Sequence, residues 1–265
     1  MKLNRVAIVV HDGKPQATEV LERLRAFFHG HGVTIADDQP DLVVSLGGDG
    51  TMLRAAQHAH AADAPLLGIN LGRLGYLTEV DVSDMESALD SISDGSFSIE
   101  ERMMLSCRAE LVDGPRDTVG LNEVLVERSS RRRLVRLEVV VGGEHWATFG
   151  ADGILVATPT GSTAYALSAG GPIVSPRAEC LVLVPVSAHM LVARPFVLAP
   201  DEKVTITVAQ DSDQQATLAV DGSISPDIPP GGRVEVGRHP RPLRLVRVSG
   251  PDFISRLRMK LGLPG

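Results

Sequence analysis

The chain has 265 residues, enough for one large domain or two ordinary ones with a well-buried core. Its formal net charge of −7 argues against a general nucleic-acid or membrane-surface binder, and no apolar run approaches the ~20 residues that span a bilayer. No signal-peptide pattern opens the sequence, and the two cysteines, Cys107 and Cys180, are predicted to be buried free thiols. We therefore expect a cytoplasmic protein that binds neither nucleic acid nor membrane.

The first hundred residues alternate strand-like and helix-like patterns. Apolar runs typical of strands covered on both faces occur at 6–10, 42–46 and 65–69. Helical spacing of apolar residues follows at 18–28, and a capping-box pattern at 83–86 predicts another helix. This alternation predicts a parallel sheet with crossover helices.

After about residue 100, short apolar or alternating runs follow one another with turn residues between them, and only 164–169 looks helical. The predicted strands are 105–112, 123–127, 134–141, 154–157, 181–186, 204–208, 217–220, 234–236 and 243–248. We predict a Rossmann-like α/β domain with a parallel sheet at 1–100 and an all-β sandwich-like domain at 101–248. The terminal segment 249–265 is expected to pack back on the first domain.

Residues 47–51 read Gly-Gly-Asp-Gly-Thr directly after a predicted buried strand. Gly47, Gly48 and Gly50 allow a tight turn whose N–H groups can face an anion. Asp49 would repel a phosphate, but it could activate a hydroxyl group beside one. The pattern predicts phosphoryl transfer with Asp49 at the chemical step. The alternative is a plain strand–turn–helix connection in which Asp49 caps the helix.

Residues 68–77 form a second segment in which glycines follow the end of a predicted strand. The segment is either a structural loop or one wall of a ligand-binding site, and the sequence leaves both interpretations open. Tyr76 is one of only two tyrosines, which favours a ligand-facing role. Residues 158–165 read Thr-Pro-Thr-Gly-Ser-Thr-Ala-Tyr, and hydroxyls, amides and a tyrosine ring together suit a purine and its ribose. The alternative for this segment is a turn rich in serine and threonine. No G-x-S-x-G pattern supports a serine nucleophile.

Asn122 and Glu123 interrupt an apolar run at 119–126 that is predicted to form one strand. Neighbouring side chains of a strand point to opposite faces, so one of these polar groups must face inward or into a cleft. Buried polar groups need partners, and a ribose diol would supply them. Residues 131–133 are three arginines, which fit either a solvated hairpin tip or a contact to substrate phosphates. The eight histidines show no metal-ligand spacing.

Taken together, these motifs resemble the NAD kinase family over nearly the whole chain, and 120–173 is most similar to actinobacterial members. The Gly-Gly-Asp-Gly piece alone is also similar to phosphofructokinases and lipid kinases, and residues 158–165 separate them. The resemblance implies phosphorylation of the 2′-hydroxyl on the adenosine ribose of NAD. It implies ATP as donor, Mg²⁺ or Mn²⁺ held mainly by phosphates, and a homodimer or homotetramer with sites near subunit interfaces.

The resemblance also implies roles for individual residues. Asp49 would be the general base, and the phosphate loop would comprise Gly47, Gly48, Gly50 and Thr51. The residues implied in NAD binding are Asp49, Gly50, Arg54, Tyr76, Asn122, Glu123, Arg133, Asp152, Thr163, Ala164, Tyr165 and Ser168. Among these, Thr163, Ala164, Tyr165 and Ser168 would line the adenine pocket, and Asp152 would approach the nicotinamide end.

Gly150 matches a position where glycine is associated in this family with tolerance of NADH as well as NAD. The segment 185–189 departs from the commoner Pro-His pairing, and Ser223 replaces a larger polar residue, so neither receives a role. Polyphosphate is an alternative donor. A lipid or sugar kinase and a non-catalytic dinucleotide sensor are the rival functions, and the first would not need residues 158–165.

Overall fold

The computed structural model describes residues 3–11, 13, 15–72, 75–130, 133–188, 193–212, 214–248, 250 and 252–263. The chain divides into two compact units, one comprising Met1–Glu101 and Leu243–Gly265 and the other Arg102–Pro242. Of the helices in the described ranges, none has the length and apolar character needed to cross a membrane.

The first unit begins as an alternation of strands and helices. Its elements are β1 (Arg5–Val10), α1 (Pro15–Gly30), β2 (Thr34–Ile35), β3 (Leu42–Gly47), α2 (Asp49–Ala62), β4 (Leu66–Asn70), β5 (Val80–Asp81), a 3₁₀ turn (Val82–Asp84), α3 (Met85–Ser93), β6 (Ser98–Arg102), β19 (Leu243–Arg247) and α5 (Phe253–Leu261).

These strands form one sheet in the order β2-β1-β3-β4-β19-β6, with β5 paired to β4. Strand β1 pairs in parallel with β2 and β3, and β3 pairs in parallel with β4. Parallel neighbours require crossover connections, which α1 and α2 supply. Every residue of β3 is buried, which explains its unbroken apolar run. The predicted α/β domain with a parallel sheet is confirmed.

The strand predicted at 243–248 lies in the first unit rather than in the β-sandwich. Leu245 of β19 pairs in parallel with Leu66 of β4. The first unit also contains α5. A short apolar run carries no information about which sheet it joins, because the pattern of burial is the same in either. The sandwich therefore ends near Pro242, six residues before the predicted boundary.

The second unit contains almost only strands. Its elements are β7 (Leu105–Leu111), β8 (Gly114–Gly120), β9 (Glu123–Arg128), β10 (Val135–Val141), β11 (Glu144–Ala151), β12 (Gly153–Ala157), a 3₁₀ turn (Gly161–Thr163), α4 (Tyr165–Ser168), β13 (Leu181–Val186), β14 (Phe196–Leu198), β15 (Val204–Val208), β16 (Ala216–Val220), β17 (Ser223–Ile228) and β18 (Arg233–Arg238).

These strands form two six-stranded sheets, ordered β11-β10-β15-β18-β7-β8 and β14-β13-β12-β9-β16-β17. Neighbouring strands of the described residues in both sheets pair antiparallel, and one large apolar core draws residues from both sheets. A second apolar cluster lies on the other face of the sheet that contains β12 and includes Leu155 and Ala166. Strands β12 and β13 are therefore buried on both faces. The predicted β-sandwich is confirmed.

Candidate active site

The Gly-Gly-Asp-Gly-Thr segment joins β3 to α2, and Gly48 is the N-cap residue of that helix. None of its three glycines has a positive φ, so backbone angles do not require glycine in this turn. Gly47 is required by packing, because a Cβ there would overlap the Thr51 side chain. At Gly48 and Gly50 the space that a Cβ would occupy is open. The turn therefore presents bare backbone at the amino end of α2, a position that favours anions.

Asp49 is the first residue of α2, and its carboxylate does not cap the helix. Its two oxygens accept hydrogen bonds from the backbone N–H groups of Tyr76 and Leu77, each at 3.0 Å. A Cβ on Gly75 would overlap this carboxylate, so glycine is needed there for close approach. The arrangement excludes the capping interpretation. It holds a half-buried carboxylate in one orientation, with lone pairs left for a substrate hydroxyl.

Arg54 and Tyr76 are two further predicted binding residues of the first unit. Arg54 is exposed on α2 and donates to the Val10 carbonyl at 3.1 Å. Tyr76 is half-buried, and the ammonium group of Lys260 lies 5.5 Å from its ring centroid. Burial, followed by the charge of Asp49, raises the pKa of Tyr76. Arg73 and Leu74, which belong to the predicted 68–77 segment, lie outside the described residues.

In the second unit the predicted strand over 119–126 is interrupted: β8 ends at Gly120 and β9 begins at Glu123. The reason is Asp221, whose carboxylate accepts hydrogen bonds from the N–H groups of Leu121, Asn122 and Glu123 at 2.7, 2.7 and 3.1 Å. Three successive amides that point to one carboxylate cannot belong to an extended ladder. Asp221 itself has φ of 49°, a left-handed conformation that aspartate tolerates.

This bend buries Asn122 and removes most of the Glu123 carboxyl group from water. Burial, and then the charge of Asp221, raise the pKa of Glu123 from 4.5 to about 7, while a hydrogen bond from the Tyr165 backbone opposes the shift. Within the described residues, Glu123 Oε2 is buried without a hydrogen-bond partner. Such an oxygen is suited to receive a hydrogen bond from a ligand hydroxyl.

The hydroxyl groups of residues 158–163 mainly hold the turn together. Thr158 Oγ1 donates to the Leu121 carbonyl at 2.6 Å, and Ser162 Oγ donates to the Pro159 carbonyl at 2.6 Å. Thr163 Oγ1 donates to the Thr160 carbonyl at 3.3 Å. The structure therefore shows these hydroxyl groups as donors within the turn, which fits the turn rich in serine and threonine that the sequence left open. Gly161 has no room for a Cβ, which would overlap the Asn122 backbone.

The residues that follow this turn are more open. Tyr165 is 40% exposed, Ser168 is exposed, and Thr163 and Ala164 are half-buried. Burial, and then the charges of Glu127, Asp152 and Glu123, raise the pKa of Tyr165. The structure thus places Glu123, Asp152 and Tyr165 of the second unit near one another. Neither Ser162 nor Thr163 caps α4, because the N-cap residue is Ala164 and makes no side-chain cap.

Asp152 forms an ion pair with Arg128, whose Nε lies 2.9 Å from Asp152 Oδ1. Gly150 lies in β11, two residues before Asp152. A Cβ at this position would contact only Leu134 Cδ1, at 4.0 Å, so the space beside Gly150 is open. Arg133 is exposed in the connection between β9 and β10. Arg131, Arg132 and His189 lie outside the described residues. In the described part of the chain, no group of three or more His, Cys, Asp and Glu residues is arranged to hold a metal ion.

Sequence reasoning missed Asp221 as a site residue. It sits in an Asp-Gly pair after an apolar strand, which signals a turn but not a partner about 100 residues away. The sequence also gave no sign that the amides of Tyr76 and Leu77 hold Asp49.

The sequence matches two family models, the ATP-NAD kinase N-terminal domain over residues 15–97 and the ATP-NAD kinase C-terminal domain over residues 121–248. The NAD kinase of Corynebacterium glutamicum is 43% identical, with 98% of this chain and 89% of the relative covered. The NAD kinase of Heliobacterium modesticaldum is 42% identical, with 97% and 98% covered.

Two solved structures are also similar. An NAD kinase from Archaeoglobus fulgidus, crystallised with ATP, has a TM-score of 0.77 and 26% identity, with 98% of this chain and all of the other covered. Yeast NADH kinase, crystallised with NADH, has a TM-score of 0.91 at 24% identity, with 99% and 89% covered, and this likeness concerns the fold alone. Two matching domain models and relatives that match over nearly their full length show that the chain belongs to the NAD kinase family, the phosphotransferases that make NADP.

Proposed function

We propose that this protein transfers the γ-phosphoryl group of ATP to the 2′-hydroxyl on the adenosine ribose of NAD, with Asp49 as the general base. The observation that carries the proposal is the fixed Asp49 carboxylate beside a bare glycine turn. Asp49 would accept the hydroxyl proton as the new O–P bond forms, and the bond from the γ-phosphorus to the bridging oxygen breaks to release ADP. Gly47, Gly48, Gly50 and Thr51 would form the phosphate loop, and Arg54 a basic contact.

NAD would be held by the polar groups that the second unit collects around Glu123. Asn122 and Glu123 would bind the adenosine ribose and base, and the buried Glu123 Oε2 supports this role. The adenine pocket would be lined by Thr163, Ala164, Tyr165 and Ser168. Further contacts are proposed for Tyr76, Arg133 and Asp152.

A divalent metal, Mg²⁺ or Mn²⁺, fits the residues present only as a phosphate-bound ion. The described chain offers no three-residue metal cage, and Mg²⁺ is commonly held by phosphates with one or two carboxylates. No side chain is assigned as a metal ligand here, because Asp49 is proposed as the general base. When bound, the metal would offset the negative charge of the donor phosphates.

Assembly, location and substrate range are also part of the proposal. We expect a homodimer or homotetramer, supported by large exposed apolar side chains of the second unit, including Trp146 at 55% and Ile224 at 74% exposed. A cytoplasmic location is supported by the two free, buried cysteines. Turnover of NADH as well as NAD is proposed from Gly150, and the open space beside it is compatible with either form.

The test incubates purified protein with Mg²⁺, a phosphoryl donor and a dinucleotide, and measures NADP, or NADPH when NADH is the acceptor, with an enzyme that is specific for the 2′-phosphorylated dinucleotide. ATP and polyphosphate are compared as donors, and NAD and NADH as acceptors. Asp49→Asn should lower kcat by ~10²-fold or more, the scale of a lost general base, with a nearly unchanged KM for NAD. The exposed Asp90→Asn on α3 is the matched control and should keep full activity. Full activity of Asp49→Asn would refute the assignment.

A further inference from the structure

The terminal helix α5 is anchored in an unusual way. Its only fully buried residue is Arg256, whose exposed fraction is 2%, whereas Ile254 and Met259 are 59% and 57% exposed. Burying a guanidinium group costs several kcal/mol unless it is paired and hydrogen-bonded. A helix whose one fully buried side chain is an arginine therefore requires specific partners for that arginine.

Three partners of this guanidinium group lie in one short segment, 75–79, which directly precedes β5. The guanidinium donates to the backbone carbonyls of Thr78 and, at 3.5 Å, Gly75. It also pairs with the buried carboxylate of Glu79 at 3.0 Å. Lys260, on the same helix, places its ammonium group over the Tyr76 ring. Two side chains of α5 thus contact this segment.

Glu79 ties the segment to the sheet and balances the buried charge. Its Oε2 also pairs with Arg247 of β19 at 2.6 Å, and its Oε1 accepts from the N–H groups of Val248 and Gly250 at 3.0 and 2.8 Å. Arg247 in turn pairs with Glu100 at 2.5 Å. In the described ion pairs two cations face two anions, and the buried Glu79 carboxylate accepts from two arginines and two backbone N–H groups.

The same segment holds Asp49 from its other side. The carbonyls of Gly75 and Thr78 accept from Arg256, and the N–H groups between them, on Tyr76 and Leu77, donate to the Asp49 carboxylate. Gly75 N–H donates to Thr78 Oγ1 at 3.1 Å and closes the turn on itself. A shift of this turn would move both amides and therefore the carboxylate they orient.

We propose that Arg256 is a positioning residue for phosphoryl transfer: it fixes the 75–79 turn so that the Tyr76 and Leu77 amides hold Asp49 in its reactive orientation. The proposal rests on the role of Asp49 as general base. Misplacement of a catalytic group by about 1 Å can lower turnover ~10²-fold. Arg256 acts through hydrogen bonds to backbone, without touching substrate.

The experiment compares Arg256→Met, Arg256→Lys and the matched control Arg258→Met, which changes an exposed arginine of the same helix. Arg256→Met should lower kcat ~10- to 100-fold while the KM for NAD changes less than twofold. Arg256→Lys keeps the charge but not the fork of donors, and should retain an intermediate kcat. Arg258→Met should have the same kcat and KM for NAD as the wild-type protein. A rise in KM with unchanged kcat in Arg256→Met would overturn the proposal.

A double-mutant comparison separates this proposal from the assignment of Asp49. If Arg256 acts through Asp49, Arg256→Met should cost less than twofold in kcat once Asp49→Asn is already present. An undiminished loss in that background would refute the positioning role while leaving Asp49 as the base. Full activity of Asp49→Asn alone would instead refute the general base itself.

Hydrogen exchange gives a readout that does not depend on activity. In Arg256→Met, exchange of the peptide containing Tyr76 and Leu77 should accelerate at least ~10-fold, while peptides of β3 stay protected. In Arg256→Lys the acceleration should be smaller. Unchanged exchange at residues 76 and 77 in a folded Arg256→Met protein would overturn the proposal.

Discussion

Glu123 should make the stability of this protein fall as the pH rises through neutrality. Its pKa is raised to about 7 in the folded protein, against an ordinary 4.5. The stabilisation is therefore complete below pH ~4.5 and is lost as the pH rises through the folded pKa. At 1.36 kcal/mol per pKa unit the full effect is about 3 kcal/mol, and about 1–3 kcal/mol is expected because part of the residue still meets solvent.

Glu123→Gln tests this, because glutamine stays neutral at every pH. The free energy of unfolding, measured with urea, should be about 1–3 kcal/mol higher for the variant at pH 8, and the difference should vanish near pH 4.5. Asp221, whose pKa burial also raises, contributes a slope of the same sign in both proteins. Glu110→Gln, an exposed glutamate on β7, is the control and should leave the pH dependence unchanged.

Two results would refute this reasoning. Equal stability of Glu123→Gln and the unchanged protein at pH 8 would mean that the carboxylate is not penalised by burial. A larger advantage at pH 5 than at pH 8 would mean that the ionised form is the favoured one. Either outcome would also remove the support for the proposal that Glu123 Oε2 accepts a hydrogen bond from a ligand hydroxyl.

Two further substitutions probe the bend before β9. Asp221→Ala leaves three amides without their acceptor and should lower the free energy of unfolding by about 2–4 kcal/mol. Asp221→Asn keeps one acceptor oxygen and tolerates a positive φ, so it should lose less stability. Equal losses of the two variants in urea unfolding would contradict this reasoning. Gly161→Ala forces a Cβ into the Asn122 backbone and should cost about 1–3 kcal/mol and raise the KM for NAD, while Gly30→Ala, with open space around it, should change neither.

Much of the fold could be predicted because burial leaves a periodic trace in the sequence. The unbroken apolar runs at 42–46 and 181–186 correspond to β3 and β13, which are buried on both faces. The alternating run of β15 follows its alternating burial. The helix that strand–helix alternation requires after β3 begins at Asp49. These features depend on neighbours along the chain, so the sequence contains the information.

Local capping patterns were poorer guides. The capping box predicted at 83–86 does not form, because residues Val82–Asp84 make a 3₁₀ turn and the N-cap of α3, Asp84, makes no side-chain hydrogen bond. The hydroxyls of Thr158 and Ser162 donate to nearby carbonyls, which the sequence pattern did not specify. Serine and threonine have several backbone partners within reach in any turn, and only the folded geometry decides among them.

The parts of the site that could not be predicted from the sequence share one physical feature. In each unit a carboxylate orders a turn by accepting hydrogen bonds from consecutive backbone amides: Asp49 from residues 76 and 77, and Asp221 from residues 121–123. Backbone amides are present at almost every position, so no residue type identifies the partner segment. The separation of 27 or 28 residues in one case and 98–100 in the other removes any local pattern as well. The same carboxylate chemistry has two uses: Asp221 orders a bend in the second unit, whereas Asp49, beside bare glycines, keeps lone pairs that the proposed reaction would use.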